Sequence, residues 1–301
     1  MELHQLRYFV AVADAESFTR AAEKCFVTQP SLSQQVIKLE KELGHSLLER
    51  LGRRVRLTDP GRAFYEQAVS ILGAVDEAKR RLSESGDSGQ GTIRVGSIPT
   101  VAPYLLPPVL KRFQRAFARA AVVVHEGLTA EIVKGCVAGE LDLGVVALPI
   151  AEPRLEVEAL FTEELLVAMP PGHPFARRRR VTVQDLTGEP FILLSETHCL
   201  GEQVVSFCNQ QSCQPLVTCK SAQLLTVQEL VGVGHGISLI PAMARELDRS
   251  RRRRYRSLSG ARPVRTLAMI RHRQRYQSPL AEGLARAVRE HARQFQRPGK
   301  S

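Results

Sequence analysis

The residues best suited to chemistry are cysteines, four of which crowd into 21 positions of the chain. Cys199, Cys208, Cys213 and Cys219 are separated by eight, four and five residues, and His198 directly precedes the first of them. A structural zinc site is typically built from Cys-x-x-Cys pairs, and these intervals contain none. We therefore expect neither a metal nor another cofactor, and we interpret the cluster as thiols with redox chemistry.

Cys199 has the sequence context of a reactive thiol. His198 lies beside it, a helix is expected to begin just after it, and both features favour the thiolate. Peroxide oxidises a thiolate to a sulfenic acid, which a second thiol such as Cys208 converts to a disulfide. If residues 201–208 are helical, nine positions separate the two cysteines by about 13 Å, whereas a disulfide needs Cα atoms within about 7 Å. Formation of the disulfide would then displace the helix. The alternative interpretation is that Cys199 and Cys208 are both unreactive residues that pack in the core.

Composition indicates an ordinary globular protein with room for two domains. The chain has 301 residues, of which 44% are hydrophobic and 24% charged. No apolar run is long enough to span a bilayer, and the first residues do not resemble a secretory signal. We therefore expect a cytoplasmic protein without membrane association, whose cysteines are mostly reduced.

The net charge of +11 is weak support for a nucleic-acid partner because of where it lies. Residues 1–90 contain 13 basic and 13 acidic residues, so the whole excess falls in the remainder. Much of it sits in two runs, 177–180 and 251–254, which we interpret as solvated loops.

Local pattern makes the stronger case for DNA binding. Residues 3–13 and 18–25 predict two helices, the second capped by Ser17, and a third begins at Gln29-Pro30-Ser31. Apolar and basic residues alternate around Gly52, which predicts a hairpin wing. The second helix of a helix-turn-helix enters the major groove, where short polar side chains read bases and wing arginines reach phosphates. The candidate DNA contacts are Gln29, Pro30, Ser31, Ser33, Gln34, Gln35 and Lys38 on the helix and Arg50, Arg53, Arg54 and Arg56 on the wing.

A protein-interaction module of three helices would show the same periodicity. The segments Leu6-Arg7-Tyr8-Phe9, Ser17 to Ala22, Gln29 to Val36, Leu39 to Gly44 and Leu57 to Gly61 nevertheless closely resemble the N-terminal domain of LysR-type transcriptional regulators. The resemblance covers nearly every position of about sixty residues. It implies a sequence-specific regulator that binds a double-stranded DNA operator and is not an enzyme.

A long helix is expected to follow the wing, with Thr58 as its cap. An apolar seam runs along it at three- and four-residue intervals, as in a coiled coil. The seam could pack on the chain's own first helix, but the family resemblance implies a homodimer through this helix and a homotetramer, with RNA polymerase as a candidate further partner. The seam comprises Phe64, Ala68, Ile71, Val75, Ala78 and Leu82.

From Thr92 the chain alternates strands and helices, which predicts an α/β domain. In LysR-type proteins this domain resembles a periplasmic solute-binding protein with two lobes. The expected fold is thus an N-terminal all-α winged helix-turn-helix with a long linker helix, followed by that α/β domain. We expect the winged domain at 1–58, the linker helix and hinge at 59–90 and the regulatory domain at 91–301. Lobe I would cover about 91–162 and 267–301, and lobe II about 163–266.

The surroundings of the cysteines resemble the peroxide-sensing branch of that family. The resemblance rests on His198-Cys199-Leu200, on Cys208 after Val205-Ser206-Phe207, on Ile98 to Tyr104 and on Pro263 to Leu267. It implies Cys199 as the peroxide-reactive thiol and Cys208 as the resolving thiol. It also implies a peroxide pocket formed by Thr100, Thr129, His198 and Arg265. Cys213 and Cys219 depart from that branch, and either could replace Cys208.

Three alternatives compete with peroxide sensing. The same regulator could respond to a small anionic metabolite bound between the lobes, near Ser97, Thr100 and Thr129. A thiol peroxidase would turn over with a reductant. A transport solute-binding protein would need export, which the N-terminal winged domain and the missing signal sequence disfavour.

Overall fold

The computed structural model describes residues 1–51, 54–84, 89–195 and 198–295, without the side chains of residues 50, 51, 54, 76, 77 and 80–84. The chain divides into two compact units, residues 1–85 and residues 86–301. Across the described part of the chain, no helix combines the length and apolarity needed to cross a membrane.

The first unit is a trihelical bundle with a hairpin and a long helix. Side-chain caps begin its second and third helices: the Ser17 hydroxyl accepts from the Arg20 N–H and the Thr28 hydroxyl from the Ser31 N–H, both at 3.4 Å. Gly44, at φ 71°, ends the third helix in the left-handed region. The elements are α1 (Leu3–Ala15), α2 (Phe18–Lys24), α3 (Gln29–Leu43), β1 (Leu48–Leu51), β2 (Arg54–Leu57) and α4 (Asp59–Glu84).

The core of this unit fixes α3 and the hairpin as one body. Leu32, Val36 and Leu39 form the buried face of α3, at the three- and four-residue spacing of one helix face. The Glu40 carboxylate accepts from the backbone N–H groups of Leu47 and Leu48 at 2.7 and 3.1 Å. A carboxylate that accepts two backbone hydrogen bonds holds the start of the hairpin against the helix.

The start of α4 is tied to the hairpin through Thr58. Its hydroxyl accepts from the Gly61 N–H at 2.9 Å, which caps the helix, and donates to the Ser46 carbonyl at 2.7 Å. A Cβ atom at Gly61 would lie 2.0 Å from the Leu47 carbonyl oxygen. Glycine is therefore needed where α4 crosses the hairpin.

The chain's own first helix covers only part of the apolar seam of α4. Phe64 packs against Phe9 of α1 in a tilted arrangement, with ring centroids 5.5 Å apart, and Ala68 is buried in the same core. Assigning the whole seam to a dimer contact is therefore wrong for its first part, which the chain's own α1 covers. Ile71, 37% exposed, and Ala78 lie uncovered further along the helix.

The second unit alternates strands and helices, as the sequence predicts. Its elements are β3 (Gly91–Ser97), α5 (Ala102–Ala116), β4 (Ala120–Glu126), α6 (Thr129–Ala138), β5 (Leu143–Ala147), β6 (Leu155–Met169), β7 (Pro190–Leu194), α7 (Cys199–Gln210), β8 (Leu216–Ser221), α8 (Leu224–Gly232), β9 (Ser238–Pro241), α9 (Ala242–Leu247), β10 (Arg254–Arg256), β11 (Val264–His272) and α10 (Pro279–Ala292).

Two hydrophobic cores define two lobes in this unit. In lobe I, β3 pairs in parallel with β4 and β5, and α5, α6 and α10 cover the sheet. In lobe II, β7 and β8 pair in parallel and α7 and α8 pack on them. Strand β6 runs through both lobes, pairing with β11 along its first part and with β9 and β10 along its second. Its buried residues change core between Phe161 and Leu165.

We expect Gly61→Ala to lower the free energy of unfolding of the first unit by about 1–3 kcal/mol, because the new methyl group displaces the Leu47 carbonyl. Gly172→Ala is the matched control, since a Cβ at Gly172 meets no atom within 4 Å and its φ is not in the left-handed region. Calorimetric unfolding of the full chain measures both. Equal midpoints for the two variants would show that α4 tolerates displacement at this crossing.

Candidate DNA-binding surface and thiol site

The first half of α3 presents a polar, solvent-exposed surface. Gln29, Pro30, Ser31, Gln34 and Lys38 are all exposed, while the opposite face of the helix is buried in the core. Side chains at the start of a helix that protrudes in this way can reach base edges in a major groove.

Two of the predicted DNA contacts on α3, Ser33 and Gln35, do not lie on this exposed surface. Ser33 is 9% exposed and belongs to the buried side of the helix, so its placement on the outer face is wrong. It follows Leu32 and is three residues before Val36, which turns it toward the core. Gln35 is half-buried, and its side-chain oxygen accepts from the Gln5 amide at 3.2 Å, which ties α3 to α1.

The hairpin of β1 and β2 forms the predicted wing. Arg56 is exposed and pairs in register with Glu49. Arg50 and Arg54 lie on the two strands, with Arg50 opposite Val55, but their side chains lie outside the description. Arg53 lies outside the described residues.

Helix α7 begins at Cys199 itself, one position earlier than the sequence predicts. The thiol therefore lies at a helix N-terminus, where backbone N–H groups favour negative charge. Cys199 is half-buried and packs against the core of lobe I, although α7 belongs to lobe II. Gly201 lets the first turn of α7 pack on the end of β7, since a Cβ there would lie 2.3 Å from the Leu194 carbonyl oxygen.

Cys208 lies on the other side of the same helix. Nine residues at about 100° each amount to two and a half turns, and the rise separates the two Cα atoms by about 13 Å. Cys208 is 3% exposed within the core of lobe II. Burial, followed by the neighbouring Cys213, raises the pKa of the Cys208 thiol to about 12. The unbroken helix thus keeps the two thiols apart and holds Cys208 neutral.

Arg265 is wholly buried and engaged rather than open to solvent. Its guanidinium contacts the Glu163 carboxylate at 2.8 Å and donates to the Thr100 hydroxyl at 2.9 Å. Glu163 in turn accepts from the Met243 N–H at 2.9 Å. Arg265 and Thr100, predicted as pocket residues, are therefore in direct contact. Glu163 is a further partner of Arg265, which the sequence pattern did not indicate.

Several polar atoms near the lobe boundary are buried without a hydrogen-bond partner among the described residues. They are the hydroxyls of Ser97, at the end of β3, and Thr129, at the start of α6, and the side-chain oxygen of Gln203 on α7. The Gln203 amide donates to the Leu148 carbonyl of lobe I at 3.0 Å. Buried polar groups are normally hydrogen-bonded, and each of these atoms keeps an unused hydrogen-bonding capacity among the described residues.

His198 occupies the cap position of α7 without a side-chain capping hydrogen bond. It is half-buried, and its backbone N–H donates to the Ser195 carbonyl at 2.9 Å. The structure therefore places Cys199 beside His198 and joins Thr100 to Arg265. In the described residues, no group of three or more His, Cys, Asp or Glu side chains could hold a metal ion.

Comparison with known proteins identifies both units. Residues 3–62 match the family model of the bacterial regulatory helix-turn-helix protein, lysR family, and residues 86–293 match that of the LysR substrate binding domain. The chain belongs to the LysR family of bacterial transcriptional regulators.

Within that family, the chain is similar to proteins that respond to peroxide. It is 38% identical to a hydrogen peroxide-inducible genes activator of Dickeya chrysanthemi, over 97% of this chain and 96% of that protein. A full-length OxyR variant from Pseudomonas aeruginosa superposes with a TM-score of 0.72 at 31% identity, covering 96% and 95% of the two chains. A hydrogen peroxide-bound OxyR variant from Corynebacterium glutamicum gives 0.60 at 29% identity, covering 99% of each chain.

We expect Glu163→Gln to destabilise the second unit by about 3–5 kcal/mol, because it leaves the buried Arg265 charge without its carboxylate. Arg262→Gln is the control: its guanidinium is 3.9 Å from Glu164 and its side chain is 60% exposed, so the loss should stay within about 0.5 kcal/mol. Urea unfolding of the full chain measures both. A small loss for Glu163→Gln would mean that Arg265 has another partner for its charge.

Proposed function

We propose that the protein is a LysR-type transcriptional activator that binds operator DNA through α3 and the wing and is switched by hydrogen peroxide at Cys199, with Cys208 as the resolving thiol. The observation that carries the proposal is the placement of the two thiols on opposite sides of one helix, each packed in a different core. A disulfide between them requires α7 to unwind, so oxidation becomes a change of shape.

The oxidation proceeds in two balanced steps. The Cys199 thiolate attacks one oxygen of hydrogen peroxide, the O–O bond breaks, and hydroxide leaves and becomes water on protonation, giving a sulfenic acid. The Cys208 thiolate then attacks the Cys199 sulfur and displaces the hydroxyl group as a second water. Because burial holds Cys208 as a neutral thiol in the folded helix, the second step follows the release of Cys208 from the lobe II core.

A peroxide pocket beside Cys199 would use the polar groups at the lobe boundary. The Thr100 hydroxyl accepts from Arg265, which leaves its own proton to donate to a peroxide oxygen. The unpartnered hydroxyl of Thr129 and the imidazole of His198 would supply further hydrogen bonds. Arg265 would act through Thr100, since its guanidinium is fully buried.

Dimerisation through α4 accounts for the uncovered part of its seam. Ile71 and Ala78 are exposed beyond the part that packs on α1, and burial against a second copy would remove this apolar surface from water. A homodimer fits a two-fold operator, and two such dimers would form a homotetramer on two half-sites.

We expect stoichiometric hydrogen peroxide to produce a Cys199–Cys208 disulfide in the full chain, and Cys199→Ser to prevent any rapid thiol loss. Alkylation followed by peptide mass spectrometry measures the pairing. Cys136→Ser is the control, because burial raises the pKa of the Cys136 thiol to about 12 and keeps that thiol unreactive. A Cys199 that stays reduced while bulk thiols oxidise slowly would contradict peroxide sensing and favour a small anion at Ser97 and Thr129.

We expect Gln34→Ala to weaken operator binding by about 1–3 kcal/mol and to relax the preference at one base pair, because Gln can pair with adenine through two hydrogen bonds. Arg56→Ala is the comparison on the wing, where loss of a phosphate contact should weaken specific and random DNA alike and reduce the salt dependence. Fluorescence anisotropy at several salt concentrations measures both. Equal losses on operator and random DNA for Gln34→Ala would exclude a base-reading role.

A further inference from the structure

The end of α7 places a second thiol against Cys208. The Cys213 N–H donates to the Cys208 carbonyl at 2.9 Å, and the Ser212 N–H donates to the Asn209 carbonyl at 3.1 Å. Ser212 has a φ of 52°, in the left-handed region. These are the two hydrogen bonds and the conformation of a Schellman motif, which brings the side chains of its first and last residues into contact. Here those residues are Cys208 and Cys213.

The two thiols form a buried pair. Cys208 and Cys213 are 3% and 1% exposed in the lobe II core, and their side chains are in hydrogen-bond contact. The Thr187 hydroxyl donates to the Cys213 sulfur at 3.6 Å. This hydrogen bond holds the Cys213 sulfur in place beside Cys208.

Cys219 has a different environment. It lies on β8, half-buried, and its thiol contacts the Lys220 carbonyl at 3.9 Å. Within the described part of the chain, no hydrogen bond joins Cys219 to Cys208. Of the two additional cysteines, Cys213 is therefore the one that is positioned to react with Cys208.

We propose that Cys213 is a second resolving thiol, which takes Cys208 from its disulfide with Cys199 by thiol–disulfide exchange. The inference rests on the proposed function, because Cys199 must first be oxidised by peroxide. Cys213 therefore reacts after Cys199 has been oxidised, and it takes no part in the first reaction with peroxide.

The exchange is balanced without a further oxidant. The Cys213 thiolate attacks the Cys208 sulfur, the Cys199–Cys208 bond breaks, and its electron pair leaves with the Cys199 sulfur. The proton that Cys213 lost passes through water to Cys199 or remains in solution. One disulfide is consumed and one is formed, so Cys199 returns to the reduced state while the protein keeps one disulfide.

The direction of the exchange follows from the geometry of α7. A Cys199–Cys208 bond requires the helix to unwind, because the two Cα atoms are about 13 Å apart along it. A Cys208–Cys213 bond joins residues that are already in contact when the helix is intact. The departing Cys199 thiolate is stabilised when the helix N-terminus re-forms. Exchange therefore restores α7 while the protein remains oxidised, which would limit the duration of the signal.

The test follows each disulfide over time in the full chain after one equivalent of peroxide, with alkylation at each time point. Cleavage after Glu196, Glu202 and Glu229 puts Cys199 on the peptide 197–202 and the other three cysteines on 203–229. A Cys199 bond then links two peptides, whereas a Cys208–Cys213 bond lies within one peptide and is located by fragmentation.

We expect the linked peptides to rise and then fall in the wild-type chain, while the internal disulfide rises and Cys199 becomes alkylatable again. In C213S the linked peptides should persist on the order of tenfold longer. The control C219S should behave as the wild type does. T187V, which keeps the thiol and removes its donor, should slow the exchange severalfold with the same products, and the unfolding midpoints of the reduced variants report any loss of fold.

Identical decay of the linked peptides in wild type and C213S would overturn the exchange while leaving Cys199–Cys208 sensing intact. So would a second bond that involves Cys219 instead of Cys213. If Cys199 stays reduced in the wild-type chain and in every variant, both the proposed function and the exchange are wrong. This result differs from the two outcomes above, in which the Cys199–Cys208 disulfide still forms.

Discussion

A single continuous helix, α7, holds Cys199 and Cys208 apart, and the chemistry proposed for the protein depends on this constraint. The helix begins at Cys199, and its half-integral number of turns between the two cysteines directs one thiol to lobe I and the other into lobe II. No rotamer change can bring the two sulfurs together, because the separation is along the axis. Forming the disulfide therefore breaks helical hydrogen bonds and removes Cys208 from its core, and both losses oppose the reaction.

The surroundings of α7 determine how such a change could spread. Gln203 connects the helix to the Leu148 carbonyl of lobe I, and Gly201 lets its first turn pack on the end of β7. Lobes I and II share β6, and the buried Arg265–Glu163 pair joins this strand to β11. The proposed unwinding of α7 beside these paired strands would give the regulatory unit a second arrangement, which is what a switch requires.

Periodicity and capping predicted much of this architecture. The three helices of the first unit, the hairpin and most helices of the second unit follow from apolar spacing and from the caps Ser17 and Thr58. Strand β7 was harder to predict because Phe191 to Leu194 is an unbroken apolar run that fits a buried strand or a buried helix. Ser33 was misplaced because a polar side chain next to a buried stripe can face either way.

The contact between Cys208 and Cys213 could not be found from sequence because its motif lacks the usual signal. A Schellman motif is normally marked by glycine in the left-handed position, and Ser212 occupies it here. The Arg265–Glu163 pair was hidden for another reason: 102 positions separate its members, and the pairing of β6 with β11 that joins them is a property of the whole fold. Local pattern thus locates reactive residues, but long-range packing decides which of them meet.

Hydrogen–deuterium exchange at the backbone amides of α7 tests the central claim most directly, with the full chain compared before oxidation and at the moment when the Cys199-linked disulfide is most abundant. Unwinding predicts that the amides of residues 203–208 lose protection while those of α8 keep theirs. Unchanged protection across 203–208 in protein whose Cys199–Cys208 bond has formed would contradict the claim that this helix keeps the thiols apart.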